Sequence, residues 1–226
     1  MAFNDTVQLQ MPDTFPGEEF DEFVKLGRKL LAPKSDLRIE FDPATNLIAW
    51  RFRECSDRLD AYLSSSVTTF EDQYLRQRDF FGFLYSGESC IEATVYALHA
   101  LASLIFGVPF GPKEQWFQAS ELVKRLEGKG DGNLTATLQA FLQEKWWKNW
   151  VSLRNRMTHG TNLPMRIRGT IGGPPPSPVG PLEFAGTSST PNIADLDLEP
   201  RSYLFEPLTA WLRSLLLKGI ALGQEK

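Results

Sequence analysis

LQAFLQEKWWKNWVSLRNRMTHG (138–160) decides the fold class. Its apolar residues Leu138, Leu142, Trp146, Trp150, Leu153 and Met157 recur at steps of four, four, four, three and four. That is the period of one helical face. The spacing predicts a single amphipathic helix of more than five turns, ending at Gly160 where a left-handed cap is expected. Trp147 lies about 100° around a helix from Trp146. One of Trp146, Trp147 and Trp150 is therefore expected to face a partner, a loop or solvent.

The same period returns on both sides of this stretch. Residues 18–31 carry Phe20, Phe23, Val24, Leu26, Leu30 and Leu31 between Pro16-Gly17 and Pro33, a helix with its own start and stop signals. DLRIEF (36–41) alternates apolar and polar residues and predicts a short edge strand. Asp42-Pro43 then predicts a helix start, continuing through Leu47, Trp50, Cys55 and Leu59 to about Leu63. Thr68 or Thr69 caps the next helix, and Gly87 breaks or merely softens its passage into the most apolar segment, 88–106. A short helix over 118–126, the turn EGKGDGN (127–133) and a last helix over 203–222 follow.

Between Gly160 and Arg201 the chain is rich in Pro, Gly, Ser and Thr, including GGPPPSPVGP. Within it, 165–171 and 181–184 can pair as a small hairpin. The expected architecture is an all-α bundle of four to five core helices. A segment 1–66 packs on it as an N-terminal extension, and a helical domain 67–226 carries the insertion at 160–201.

Composition narrows the function classes. The 226 residues hold two cysteines, Cys55 and Cys90, with no CxxC spacing, and two histidines. Reduced core thiols of a cytoplasmic protein are expected, with no metal site and no cofactor. The acidic N-terminus lacks the pattern of a signal peptide. The apolar run 93–108 is interrupted by His99 and Gly107 and stops at Pro109, so it is read as a core helix and no membrane is expected. Net charge is −4. The first 22 residues hold six acids and no base, whereas 145–168 hold Lys145, Lys148, Arg154, Arg156, Arg166 and Arg168 and no acid. That basic segment is either a solvated helix end that complements the helix dipole or the candidate surface for RNA or nucleotide phosphates.

Nucleotide-binding glycine loops, a nucleophile elbow, HExxH and calcium loops are absent. GKGDGN follows no strand and is not a phosphate loop. The acidic pairs Glu18 with Glu19 and Asp195 with Asp197 are expected to be solvated. ESCIEATVYALHA places Glu88 and Glu92 at i and i+4 on the apolar helix, with Cys90 and with His99 as a packing histidine. RNRMTH (154–159) is where chemistry can be argued. Asn155 and His159 share a helical face. An imidazole at a helix end, beside unsatisfied carbonyls, titrates near neutrality and can move a proton at a ribose 2′-hydroxyl or a leaving 5′-oxygen. Arg154 offers a forked donor for phosphate oxygens, and Asn155 can orient the imidazole or bond the phosphate. One copy is half a site. A two-fold dimer would supply an acid, a base and two clamps.

An arginine five residues before a histidine near a late helix end, with Asn in second place, resembles the motif of the HEPN superfamily. The run of helices from about Thr68 to His159, closed by the last helix, resembles that all-α fold. The helix GESCIEATVYALHAL is similar to an early helix of uncharacterised bacterial members. The resemblance spans about two-thirds of the chain. It implies a metal-independent endoribonuclease with a composite site at a homodimer interface, in a defence or toxin–antitoxin setting with an antitoxin or other protein partner. Arg154, Asn155 and His159 would be its catalytic residues. Members modified by a nucleotidyltransferase carry a tyrosine two residues after the histidine, where this chain has Thr161. Non-catalytic members that bind nucleotides or scaffold proteins are the alternative.

Overall fold

A computed structural model describes residues 10–110, 118–129, 132–158 and 200–224. They form seven α-helices: α1 (Gly17–Leu30), α2 (Asp36–Ser64), α3 (Phe70–Phe106), α4 (Ala119–Leu126), α5 (Gly132–Gln143), α6 (Lys145–Thr158) and α7 (Glu206–Gln224). A π-helical turn, Arg201–Phe205, leads into α7. No strand occurs among the described residues, and the all-α bundle stands. The possible hairpin and Gly160 lie outside the described residues.

α2 and α3 form a long antiparallel hairpin. Tyr62 packs on Phe80, Cys55 Sγ approaches the Phe83 carbonyl, Cys90 Sγ approaches that of Ile48, and Tyr96 donates to Glu40. α1 lies against α7; α6, α7 and α4 each pack on α3. One hydrophobic core runs through all seven helices, centred on Phe52, Phe83, Trp150 and Phe205. By length and composition α3 could cross a membrane, but 67% of its most apolar window is buried inside the molecule. Both cysteines are free and buried in the hairpin, and burial pushes their thiols up.

Three local expectations are corrected. The first is the strand over 36–41, which is instead the start of α2. Ser35 caps it, its side chain accepting from the Arg38 amide at 3.2 Å. The alternation was misleading because Ile39 is exposed while Phe41, Ala44 and Ile48 form a buried helical stripe. Phe41 faces Phe23 of α1, ring centroids 5.5 Å apart. Pro43 therefore sits inside the helix rather than opening it.

Gly87 raises a second question, and the helix neither breaks nor ends there: α3 runs on to Gly107, a left-handed cap with φ 63°. Thr69 starts it with a capping box, its hydroxyl accepting from the Asp72 amide while Asp72 accepts from the Thr69 amide. The second correction is that the long amphipathic helix is two helices. At Glu144 the amide bonds the Phe141 carbonyl, closing a tight last turn of α5, while its carbonyl accepts from Lys148 to open α6.

That break explains the third correction. Trp146, Trp147 and Trp150 are all buried within the chain. Phe141 of α5 meets Trp146 and Trp147 at 6.0 and 4.6 Å, and Trp211 of α7 at 5.4 Å. α6 is covered on several sides, so adjacent tryptophans both find a core.

Candidate functional site

Site geometry starts from Trp150. Its indole is fully buried, and Nε1 donates to the Leu84 carbonyl of α3 at 2.8 Å. This anchors α6 across α3 and sets the height of everything one turn further along. Arg154, four residues on, therefore reaches Glu88, four residues beyond Leu84. Arg154 Nε donates to Glu88 Oε2 at 2.5 Å, and Nη2 donates to Oε1. This is a forked, charge-assisted pair. Glu88 is buried, while the Arg154 side chain stays 28% exposed. The hydrogen bonds that Arg154 donates to Glu88 raise the arginine's proton affinity further, against the effect of burial. Glu88 engages Nε and Nη2 and leaves Nη1 outside the pair, in a side chain that remains partly exposed.

Asn155 is exposed beside it. Arg156 is half-buried and engaged. Lys145 and Lys148 are exposed in the first turn of α6, and Lys148 donates to Gln143 at 2.7 Å. Nine residues of helix separate Lys145 from Arg154, about 13 Å along the axis, so the lysines stand at the opposite end of α6. His159, Arg166 and Arg168 lie outside the described residues; Thr158, the last of α6, directly precedes His159.

Glu88 and Glu92 were legible only as an i, i+4 pair, with no role attached. Both belong to the site. Glu92 is one turn beyond Glu88, and burial, then the charge of Glu88, push its carboxyl up to about 7 against the pull of Arg154. The available signal was two glutamates in a stretch of α3, 86–106, that is otherwise mostly small and apolar, a placement that asks for a cationic partner. Tyr85, one turn before Glu88 on the other side, also acts on Arg154, and Arg51 of α2 lies 5.4 Å over its ring.

Comparison of the chain with protein-family models, with curated proteins and with solved structures finds no match.

The second histidine is a packing group. His99 is fully buried and stacks on Phe110 at 4.6 Å. Its Nε2 meets the Pro109 carbonyl at 3.2 Å, which places the neutral ring's proton on that nitrogen, and Arg125 donates to the same carbonyl at 2.7 Å. Burial, then the Arg125 charge, lower its pKa to about 4, with the Pro109 bond opposing. Because the folded value lies below the unfolded 6.5, stability is complete above about pH 6.5 and is lost as pH falls through about 4. Acid is expected to remove about 2–3 kcal/mol through this residue. Urea unfolding of wild type and His99→Gln at neutral pH and near pH 4 checks it. An identical acid loss in both proteins would show that His99 is not responsible.

A surface groove of about 390 Å³ lies elsewhere, along α2, lined by Trp50, Arg53, Glu54, Asp57, Arg58 and Ala61. Its arginines are ion-paired, Arg53 to Asp57 and Arg58 to Asp79, and no residue of α6 contributes. Among the described residues no group of three His, Cys, Asp or Glu is arranged to hold a metal ion.

Proposed function

We propose that the chain is a metal-independent endoribonuclease of HEPN type, acting as a homodimer on single-stranded RNA in a defence or toxin–antitoxin-like setting. The observation that carries this reading is the state of Arg154. It is held by Glu88 at the end of α6, stays partly exposed, and stands five residues before His159. An arginine fixed by a carboxylate loses little further side-chain entropy when its exposed part meets a phosphate oxygen. In the proposed reaction His159 takes the 2′-hydroxyl proton or returns one to the leaving 5′-oxygen. Arg154 stabilises charge on the phosphorus oxygens, and Asn155 orients one of these groups. The 2′-oxygen attacks phosphorus, the bond to the 5′-oxygen breaks, and a 2′,3′-cyclic phosphate remains. The second protomer would supply the complementary acid or base.

The same ion pair favours a second reading. Glu88 already neutralises Arg154, as a purely structural pair would. The protein would then be a non-catalytic nucleotide-binding or interaction protein of the same fold. Incubation of single-stranded RNA with the protein in EDTA separates the two. Wild type is expected to leave cyclic phosphate ends, and His159→Ala is expected to be slower by about a hundredfold or more. Equal cleavage by both proteins, or by neither, rejects the ribonuclease. A solution mass matching a monomer rejects the composite site.

A further inference from the structure

We propose that Glu92 gates the Arg154 site, so that a phosphate oxygen binds at the exposed part of the Arg154 side chain together with the uptake of one proton by the Glu92 carboxyl. This rests on the reading of the site as one that receives a phosphodiester. The observation is one of charge and placement. α3 brings two carboxyls, one turn apart on one face, to a single guanidinium from α6. Glu88 takes up Nε and Nη2 of Arg154. Glu92 makes no hydrogen bond or ion pair with any described residue, yet both Glu88 and Arg154 act on it electrostatically.

Among the described residues, few charged or titratable groups act on this cluster. Tyr85 of α3 acts on Arg154, and Arg51 of α2 lies over the Tyr85 ring. Glu40 of α2 is engaged with Tyr96, one turn beyond Glu92, and Arg125 of α4 acts on His99 further along α3. Among the described residues, no charge on α2, α4 or α7 acts on Glu92 itself.

With Glu92 ionised, one cation faces two anions, and an incoming phosphodiester meets a net negative site. With Glu92 protonated the cluster is neutral, and the carboxyl has become a donor able to bond the same phosphate oxygen. The proton comes from solvent to a Glu92 oxygen and no covalent bond of the ligand changes. Burial has already brought this carboxyl to about 7, so the gate falls within the physiological range.

Linkage makes the effect reciprocal: if protonation favours the ligand, the ligand favours protonation by the same factor. The probe is a single-stranded RNA oligonucleotide with 2′-O-methyl groups, which cannot be cleaved. Its affinity for the full chain is read by fluorescence anisotropy at constant ionic strength between about pH 6 and about pH 8.5. Wild-type affinity is expected to fall by up to about tenfold per pH unit above neutrality. Glu92→Gln, isosteric with the protonated acid, is expected to lose that slope and to bind about tenfold tighter than wild type at the alkaline end. Any pH dependence that does not come from Glu92 is common to both proteins and cancels in the comparison. The same pH slope in wild type and Glu92→Gln overturns the gate while leaving the site reading intact. No binding by either protein at any pH overturns both.

Discussion

Trp150→Ala is expected to destabilise the fold by about 3–5 kcal/mol. The indole is fully buried where α6 crosses α3, with Phe83 at 4.8 Å and Trp146 at 6.2 Å. Truncation leaves a cavity between packed aromatic rings and the α3 backbone at Gly87, and it strands no donor because the indole leaves with its N–H. The complementary change is Gly87→Ala. A Cβ there would lie 2.2 Å from Trp150 Cζ2, 2.6 Å from Cη2 and 3.2 Å from Cys55 Sγ. The ring has no free end to swing aside, so α6 must shift as a body or the core must open, at a cost of about 1–3 kcal/mol or more. Denaturant unfolding measures both. The pairing makes a sharper statement: Gly87→Ala with Trp150→Leu is expected to cost less than the sum of the separate changes, because the smaller side chain vacates the notch. Strict additivity would mean that the two residues do not share one space.

Arg154→Met is expected to cost about 2–3 kcal/mol, less than a wholly buried pair because Arg154 is partly exposed. Most of the loss comes from Glu88, left buried without its cation, rather than from the arginine's own contacts. Arg154→Met combined with Glu88→Leu is therefore expected to recover most of the stability. This separates packing from chemistry. If Arg154 is a phosphate clamp, RNA cleavage stays lost in the stable double variant. If the pair is only structural, any RNA binding returns with stability. A double variant no more stable than Arg154→Met would show that the pair does not dominate this seam.

Much of the helix layout was legible along the chain, for reasons that are local. Pro16-Gly17 and the apolar stripe of α1, the Thr69 cap, the Gly107 stop and the amphipathic α4 each depend on residues within a turn or two of one another. The misreadings share one cause. The 36–41 segment alternates as a strand does, but the burial of Phe41 against Phe23 and the Ser35 cap outweigh a weak period-two signal. The step pattern from Leu138 to Met157 continues across Glu144, so periodicity could not reveal a break that re-aims the chain toward Phe141 and Trp211. One of the three tryptophans is surplus to a helix with a single covered face, whereas α6 is covered by α3, α5 and the turn before α7.

Sequence alone determined an all-α bundle and singled out Arg154, Asn155 and His159 as candidate chemistry, because period, caps and residue type are short-range properties. Only the tertiary structure decided what Arg154 touches. Its partner lies 66 residues away, and the meeting depends on the register in which α6 crosses α3. That register is set by one indole filling the space beside one glycine. Side-chain size at Gly87 and Trp150 is written in the sequence; their mutual fit exists only once the helices are packed.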